Sequence, residues 1–398
     1  MAVLLNEFIN FLSNIHPTDI KEINLKDHKC FFVGGIKTVI DNKEVIKGTM
    51  YVEQFTPANH KNNHKIILIH GGGQTGVGFL STPDGRRGWA HDFLLAGFEV
   101  FVVDQPGRGR SGYSSTLYGE YIDRELDMDD CERRFTSMKD LGNWPQSKLH
   151  SQWPEDGKRG NKIFNQYMAS QVNTMEDRIE IEKMSRVALA DLLDQVGPAF
   201  VLGHSQGGPF CWLAGDVRPD KVLGLIAVEP NGPPFFNVAY GGHTPSHLKN
   251  SKTNPKREGD KDWYVTSSKS DRPGGITYFP LTFDPPLLES EYLVAELDIA
   301  QTEQELVQCY LQKEPARQLT NLKKVPVLIL SAEASYHAPY DHGTSNFLKQ
   351  AGVQHDFFRL QDYGIKGNGH MMMLESNNHI VADFILTWVK KKIPEKNC

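Results

Sequence analysis

Cysteine is scarce in this chain of 398 residues: Cys30, Cys131, Cys211, Cys309 and Cys398 are far apart and odd in number. That spacing argues against a disulfide framework or a zinc site and fits isolated thiols in a reducing compartment. Long apolar runs are missing too. None approaches the roughly 20 residues needed to span a bilayer, so no membrane span is expected. Basic tracts are short: 43 Lys and Arg stand against 49 Asp and Glu, the net charge is −6, and nothing exceeds Lys390-Lys391-Lys392. Nucleic acid is therefore not an expected partner. The sequence has no His-Glu-x-x-His, no paired Cys-x-x-Cys and no Gly-x-Gly-x-x-Gly opening a helix, so neither a metal nor a nucleotide cofactor is implied. Repeats and low-complexity tracts are absent as well.

The segment MAVLLNEFINFLSNIH at the start has no basic n-region, carries Glu7 within its apolar stretch and places Leu4, Phe8, Ile9, Phe11, Leu12 and Ile15 at roughly helical spacing. Residues 1–28 are thus expected to be an amphipathic helix or extension, and the chain is expected in the cytoplasm. Residues 29–398 read as one α/β catalytic domain.

Lys29 to Ile40 and Glu44 to Phe55 alternate around Asp41-Asn42-Lys43, which predicts an antiparallel hairpin. Two short apolar runs, Ile66 to Ile69 and Val100 to Val103, run into His70-Gly71-Gly72-Gly73 and Asp104-Gln105-Pro106-Gly107. Both read as strands buried on two faces, with a helix over Arg87 to Leu95 between them. Residues 113–174 lack a sustained period and read as a long excursion. After it come a helix (Asp177 to Val196), a strand (Ala199 to Leu202), a helix (Gln206 to Asp216) and a strand (Val222 to Val228). A second excursion, about 231–320, is rich in Pro, Gly, Ser and Lys and is expected to hold a helix over Glu303 to Leu311 as part of a cap or lid. Val325 to Leu330, Asp341 to Ala351, Asp356 to Leu360 and His379 to Lys391 complete the alternation. The predicted fold is a mostly parallel sheet with an N-terminal antiparallel hairpin and inserted segments covering one edge.

Gly203-His204-Ser205-Gln206-Gly207 matches Gly-x-Ser-x-Gly. The pentapeptide alone is a weak signal, but a buried strand leads in and a helix leads out, the setting of a nucleophile elbow that exposes Ser205 Oγ at the strand's end. Serine needs a base and a group to orient that base. Of fifteen histidines, His370 is the best placed, in the loop Gly367-Asn368-Gly369-His370 between the last apolar run and the last helix. The usual acid position beyond the seventh strand holds Ser335. Glu229, at the end of the preceding strand, can reach the imidazole instead, with Glu333 and Asp341 as substitutes. His70-Gly71-Gly72-Gly73 follows a strand, where oxyanion holes are built; its expected donors are the amides of Gly72 and Gln206, with Gly73 in reserve.

The elements HGGGQTG, DQPGRGRSG, GHSQGG, VEPNGPP and GNGHMMMLESNN, with WPQSKLHSQWP in the first excursion, resemble the α/β-hydrolase superfamily from about residue 30 to 392. Together they look like a microbial esterase branch with its acid after the sixth strand, a placement also similar to that of fungal macrocyclic lactone hydrolases. The resemblance implies a Ser–His–Glu triad on Ser205, His370 and Glu229. The expected activity is hydrolysis of a carboxylic ester through an acyl-enzyme, on a small-molecule ester or lactone; a homodimer is compatible with the sequence. Related enzymes are often secreted. The alternatives are a lactonase or C–C bond hydrolase with the same triad, and a non-catalytic ligand-binding protein on the same fold.

Overall fold

The structure is a computed structural model and describes residues 22–60, 64–122, 127–240, 263–265, 272–288, 291–301, 303 and 305–393. The amphipathic segment expected at the N-terminus lies outside the described residues, except that the chain already runs as a strand from Leu25.

Eight strands form one sheet: β1 (Leu25–Ile40), β2 (Lys43–Pro57), β3 (Lys65–Ile69), β4 (Glu99–Asp104), β5 (Ala199–His204), β6 (Val222–Val228), β7 (Val327–Ser331) and β8 (His355–Arg359), in the order β1-β2-β4-β3-β5-β6-β7-β8. The β1–β2 hairpin turns through Asp41 and Asn42, both at positive φ, the backbone that tight hairpins need and that Asn and Asp tolerate. It joins β4 antiparallel, and every pairing from β4 to β8 is parallel.

Alternate residues of the central strands point to opposite faces, and both faces are buried. Ile67, Ile69, Val201, Leu225, Ala227 and Ile329 pack under the helices α2 (Arg178–Val196), α3 (Gly207–Val217) and α4 (Asp341–Gln350). Ile66, Leu68, Phe200, Leu202, Ile226 and Leu330 pack under α1 (Trp89–Leu95) and α5 (Asn378–Lys392). This is why the strands read as continuous apolar runs. Helix α2 starts where the Asp177 carboxylate accepts the Glu180 amide, and it stops at Gly197, at φ 82°.

The first excursion is built from short helical pieces, including Met128–Cys131, Glu132–Thr136 and Lys162–Ala169. The helix expected over Glu303 to Leu311 is not formed. Val307 and Cys309 are buried while Leu306, Gln308 and Tyr310 are partly exposed, an alternation of period two, and Tyr310–Gln312 pairs antiparallel with Ala295–Leu297. A short apolar stretch fits either period, and here contact with Tyr340 decides for the extended form.

Candidate active site

Ser205 stands at the turn between β5 and α3 at φ 54°, a backbone conformation that a non-glycine residue holds only under constraint. Its amide donates to Val228 O (3.0 Å), and its carbonyl accepts from the amides of Gly208 and Asn231 (2.9 Å each). Glycine on either side makes the turn possible. A Cβ at position 203 would sit 2.1 Å from Gly207 O, and one at 207 would sit 2.5 Å from Ile69 O.

Glu229 directly follows β6 with the same left-handed backbone, at φ 45°, and its side chain is wholly buried. Its Oε1 accepts from Ala332 N (2.7 Å), and its Oε2 accepts both Ser335 Oγ and His370 Nδ1, at 2.6 Å each. Ser335, which occupies the position expected to hold an acid, thus supports an acid on the neighbouring strand. With Nδ1–H given to Glu229, the Nε2 of His370 is the nitrogen with the free lone pair. Tyr336 Oη donates to it at 3.3 Å, whereas Ser205 Oγ faces Asn231 Oδ1 at 3.4 Å. The backbone of His370 is also held, since His204 Nε2 donates to its carbonyl (2.9 Å).

His370 is enclosed by rings. His204, His337, Tyr336 and Phe135 have centroids 4.5, 4.6, 4.7 and 5.6 Å away. Burial, reinforced by His204, His337 and Arg134, holds its imidazolium well below the ordinary range. Burial likewise pulls His204 down to about 3 and His337 to about 4, so the cluster is neutral. Burial raises the Glu229 carboxyl, and the Ser335 and Ala332 donors oppose that rise.

On the other flank, His70 Nε2 accepts the Gln105 amide (3.1 Å), and Arg108 Nη1 donates to Gly71 O (3.0 Å). These contacts press the glycine loop onto the elbow: a Cβ on Gly71 would lie 3.1 Å from Ser205 Cβ. Among the described residues, the amides of Gly72 and Gln206 donate to no protein group, while Gly73 N is engaged by Thr174 Oγ1 at 3.1 Å. The reserve donor is therefore occupied.

Residues 66–384 match the alpha/beta hydrolase family. The chain belongs to that family. A probable secreted lipase of Fungal sp. (strain ATCC 74256) is 38% identical over 384 residues, covering 96% of this chain and 95% of the relative. A solved structure described as a novel bacterial esterase superposes with a TM-score of 0.59 at 19% identity, over 95% of this chain and 99% of that one.

Within this alpha/beta hydrolase the substitute acids have other partners: Glu333 Oε2 accepts Gly367 N (2.7 Å), and Asp341 Oδ1 binds His337 Nδ1 (2.9 Å). Glu229, His337 and His370 bring one donor atom each within 4.8 Å of one another. The two imidazoles stack at 14°, however, so their in-plane lone pairs lie in nearly parallel planes, a poor fit to a tetrahedral ion. Among the first excursion's residues, Phe135 stacks on His370, and Trp144 Nε1 donates to Ala334 O (2.9 Å) beside Tyr336. Met371, Met372 and Met373 are buried in the core against α5, with Met371 Sδ accepting Gln74 Nε2 at 3.3 Å. Sequence reasoning missed Tyr336, His337 and Phe135. Tyr336 and His337 directly follow Ser335 in the loop after β7, at the same sheet edge as the elbow, and that was the available signal. Phe135 comes from the aperiodic excursion and offered none. Among the described residues, Cys30 and Cys211 are free thiols, and no described helix is long and apolar enough to cross a membrane.

Proposed function

We propose that this alpha/beta hydrolase cleaves carboxylic esters by a serine mechanism. The observation that carries the reading is His370: its Nδ1 is held by Glu229 at 2.6 Å, which leaves Nε2 able to accept a proton at the strand edge where Ser205 stands strained at the elbow. Ser205 Oγ turns from Asn231 toward Nε2, loses its proton to it and attacks the ester carbonyl. The amides of Gly72 and Gln206 receive the oxyanion, each worth about 3–4 kcal/mol of transition-state stabilisation. Glu229 keeps the imidazole in the required tautomer and stabilises its cation. The alcohol leaves with the proton from Nε2, and water, activated by the same nitrogen, releases the acid.

The naming of a 38% identical relative as a lipase supports an ester as substrate. The first excursion, 113–174, acts as a cap in this reading, since Phe135 and Trp144 bring it against His370 and Tyr336, and the second, 231–320, is assigned to the cap from its sequence alone. The wide spacing and odd number of the five cysteines favour a reducing compartment for this chain, against the secreted location in the relative's name; fractionation of the source cells settles the location. Function is tested with Ser205→Ala: hydrolysis of short-chain aryl esters falls to background while the unfolding midpoint is kept. Hydrolysis at the unsubstituted rate overturns the proposal.

A further inference from the structure

Nε2 of His370 must carry a proton twice in each turnover, and in the structure its partner is a second hydroxyl, Tyr336 Oη, at 3.3 Å. That hydroxyl is rigidly placed. The Tyr336 ring lies 4.7 Å from the His370 ring and meets Trp144 edge-on at 6.1 Å, with the Arg134 guanidinium 5.6 Å above it. Its chain neighbours are fixed as well, Ser335 to Glu229 and His337 to Asp341. Ser205 Oγ faces Asn231 Oδ1, so the Tyr336 hydroxyl stands at Nε2, beside the nitrogen through which every proton of the reaction passes.

We propose that Tyr336 is a further catalytic residue, whose hydroxyl donates a hydrogen bond to the leaving-group oxygen as the acyl-enzyme forms. This rests on the serine-hydrolase reading above. In that step Ser205 Oγ bonds to the carbonyl carbon and its proton passes to Nε2. The bond from the carbonyl carbon to the leaving oxygen then breaks, its electron pair stays on that oxygen, and the oxygen takes the proton from Nε2. While Nε2 is protonated it no longer accepts from Tyr336, whose O–H is released toward the oxygen arriving beside it. Tyr336 keeps its own proton throughout. Such a hydrogen bond matters most where the leaving oxygen becomes strongly basic, so the substrate class it serves is esters of aliphatic alcohols.

The test is Tyr336→Phe on a series of esters sharing one acyl group, with 4-nitrophenol, phenol and ethanol as leaving groups. The expected kcat/KM falls about tenfold for the ethyl ester, the scale of one hydrogen bond made in the transition state, and by less than about twofold for the nitrophenyl ester. A fluorophosphonate expels fluoride, which needs no proton from Nε2, so Ser205 labels at the same rate in the variant, and this also shows that its site is folded. An equal fall for all three esters, no fall, or a rise overturns the role assigned to Tyr336. Absence of labelling in the unsubstituted protein overturns the serine-hydrolase reading itself, and this inference with it.

Discussion

Ser335 Oγ donates to Glu229 Oε2 at 2.6 Å, so that the strand end where an acid was expected contributes a hydroxyl to a carboxylate one strand away. That oxygen also takes His370 Nδ1. Glu229→Gln replaces the accepting oxygens with an amide that cannot accept at both, and kcat is expected to fall by about 10³–10⁴-fold, as when a triad carboxylate becomes an amide. Adding Ser335→Asp to Glu229→Gln restores a carboxylate beside Nδ1 from β7, and ester hydrolysis by the double variant exceeds that of Glu229→Gln alone. A double variant no faster than the single one contradicts this geometry.

The pH profile follows from the surroundings of His370. A base works only when neutral. Burial and the neighbouring His204, His337 and Arg134 hold its imidazolium well below the usual histidine value of 6.5, so the neutral form persists to lower pH. The acid limb of kcat/KM is therefore expected to have its midpoint below pH 6.5, with activity lost as pH falls through it. A midpoint at or above 6.5 in a kcat/KM titration contradicts that environment.

Glu182 tests electrostatics away from the site. It is wholly buried on α2, its Oε2 accepts Phe279 N at 2.7 Å, and burial raises its carboxyl to about 8. A carboxyl with its folded value above its unfolded value of about 4.5 gives stability that is complete below 4.5 and is lost as pH rises through 8. Glu182→Gln keeps an oxygen for Phe279 and removes that loss. Urea unfolding is expected to show the variant gaining on the unsubstituted protein between pH 5 and 8; a pH-independent difference runs against it.

The elbow is a steric prediction. Gly203→Ala places a methyl 2.1 Å from Gly207 O, a backbone atom that cannot swing aside as a side chain can. Stability is expected to fall by about 3 kcal/mol, the upper range for overpacking, along with Ser205 labelling. An unchanged unfolding midpoint contradicts the packing described.

The sheet was legible because its central strands are buried on both faces and bounded by Gly, Pro and Asp, and two of the helical patterns that pack on them, Asp177 to Val196 and His379 to Lys391, are long. The stretch Glu303 to Leu311 was misread because so short a set of apolar positions fits two periods, and contact with Tyr340 chose between them. At the site, strand ends and loops placed Ser205, Glu229 and His370 at one edge of the sheet. The ring cluster around His370 was not legible, since Phe135, Tyr336 and His337 meet it from separate segments. One-dimensional spacing carries no trace of such a meeting, least of all from the first excursion, where no period exists.

The most direct test of the account is peptide mapping by mass spectrometry after reaction with a fluorophosphonate, comparing the unsubstituted protein with His370→Ala. The account predicts one adduct, on Ser205, formed rapidly in the first and at least about 10³-fold more slowly in the second. An adduct on another residue, or equal rates in the two proteins, contradicts it.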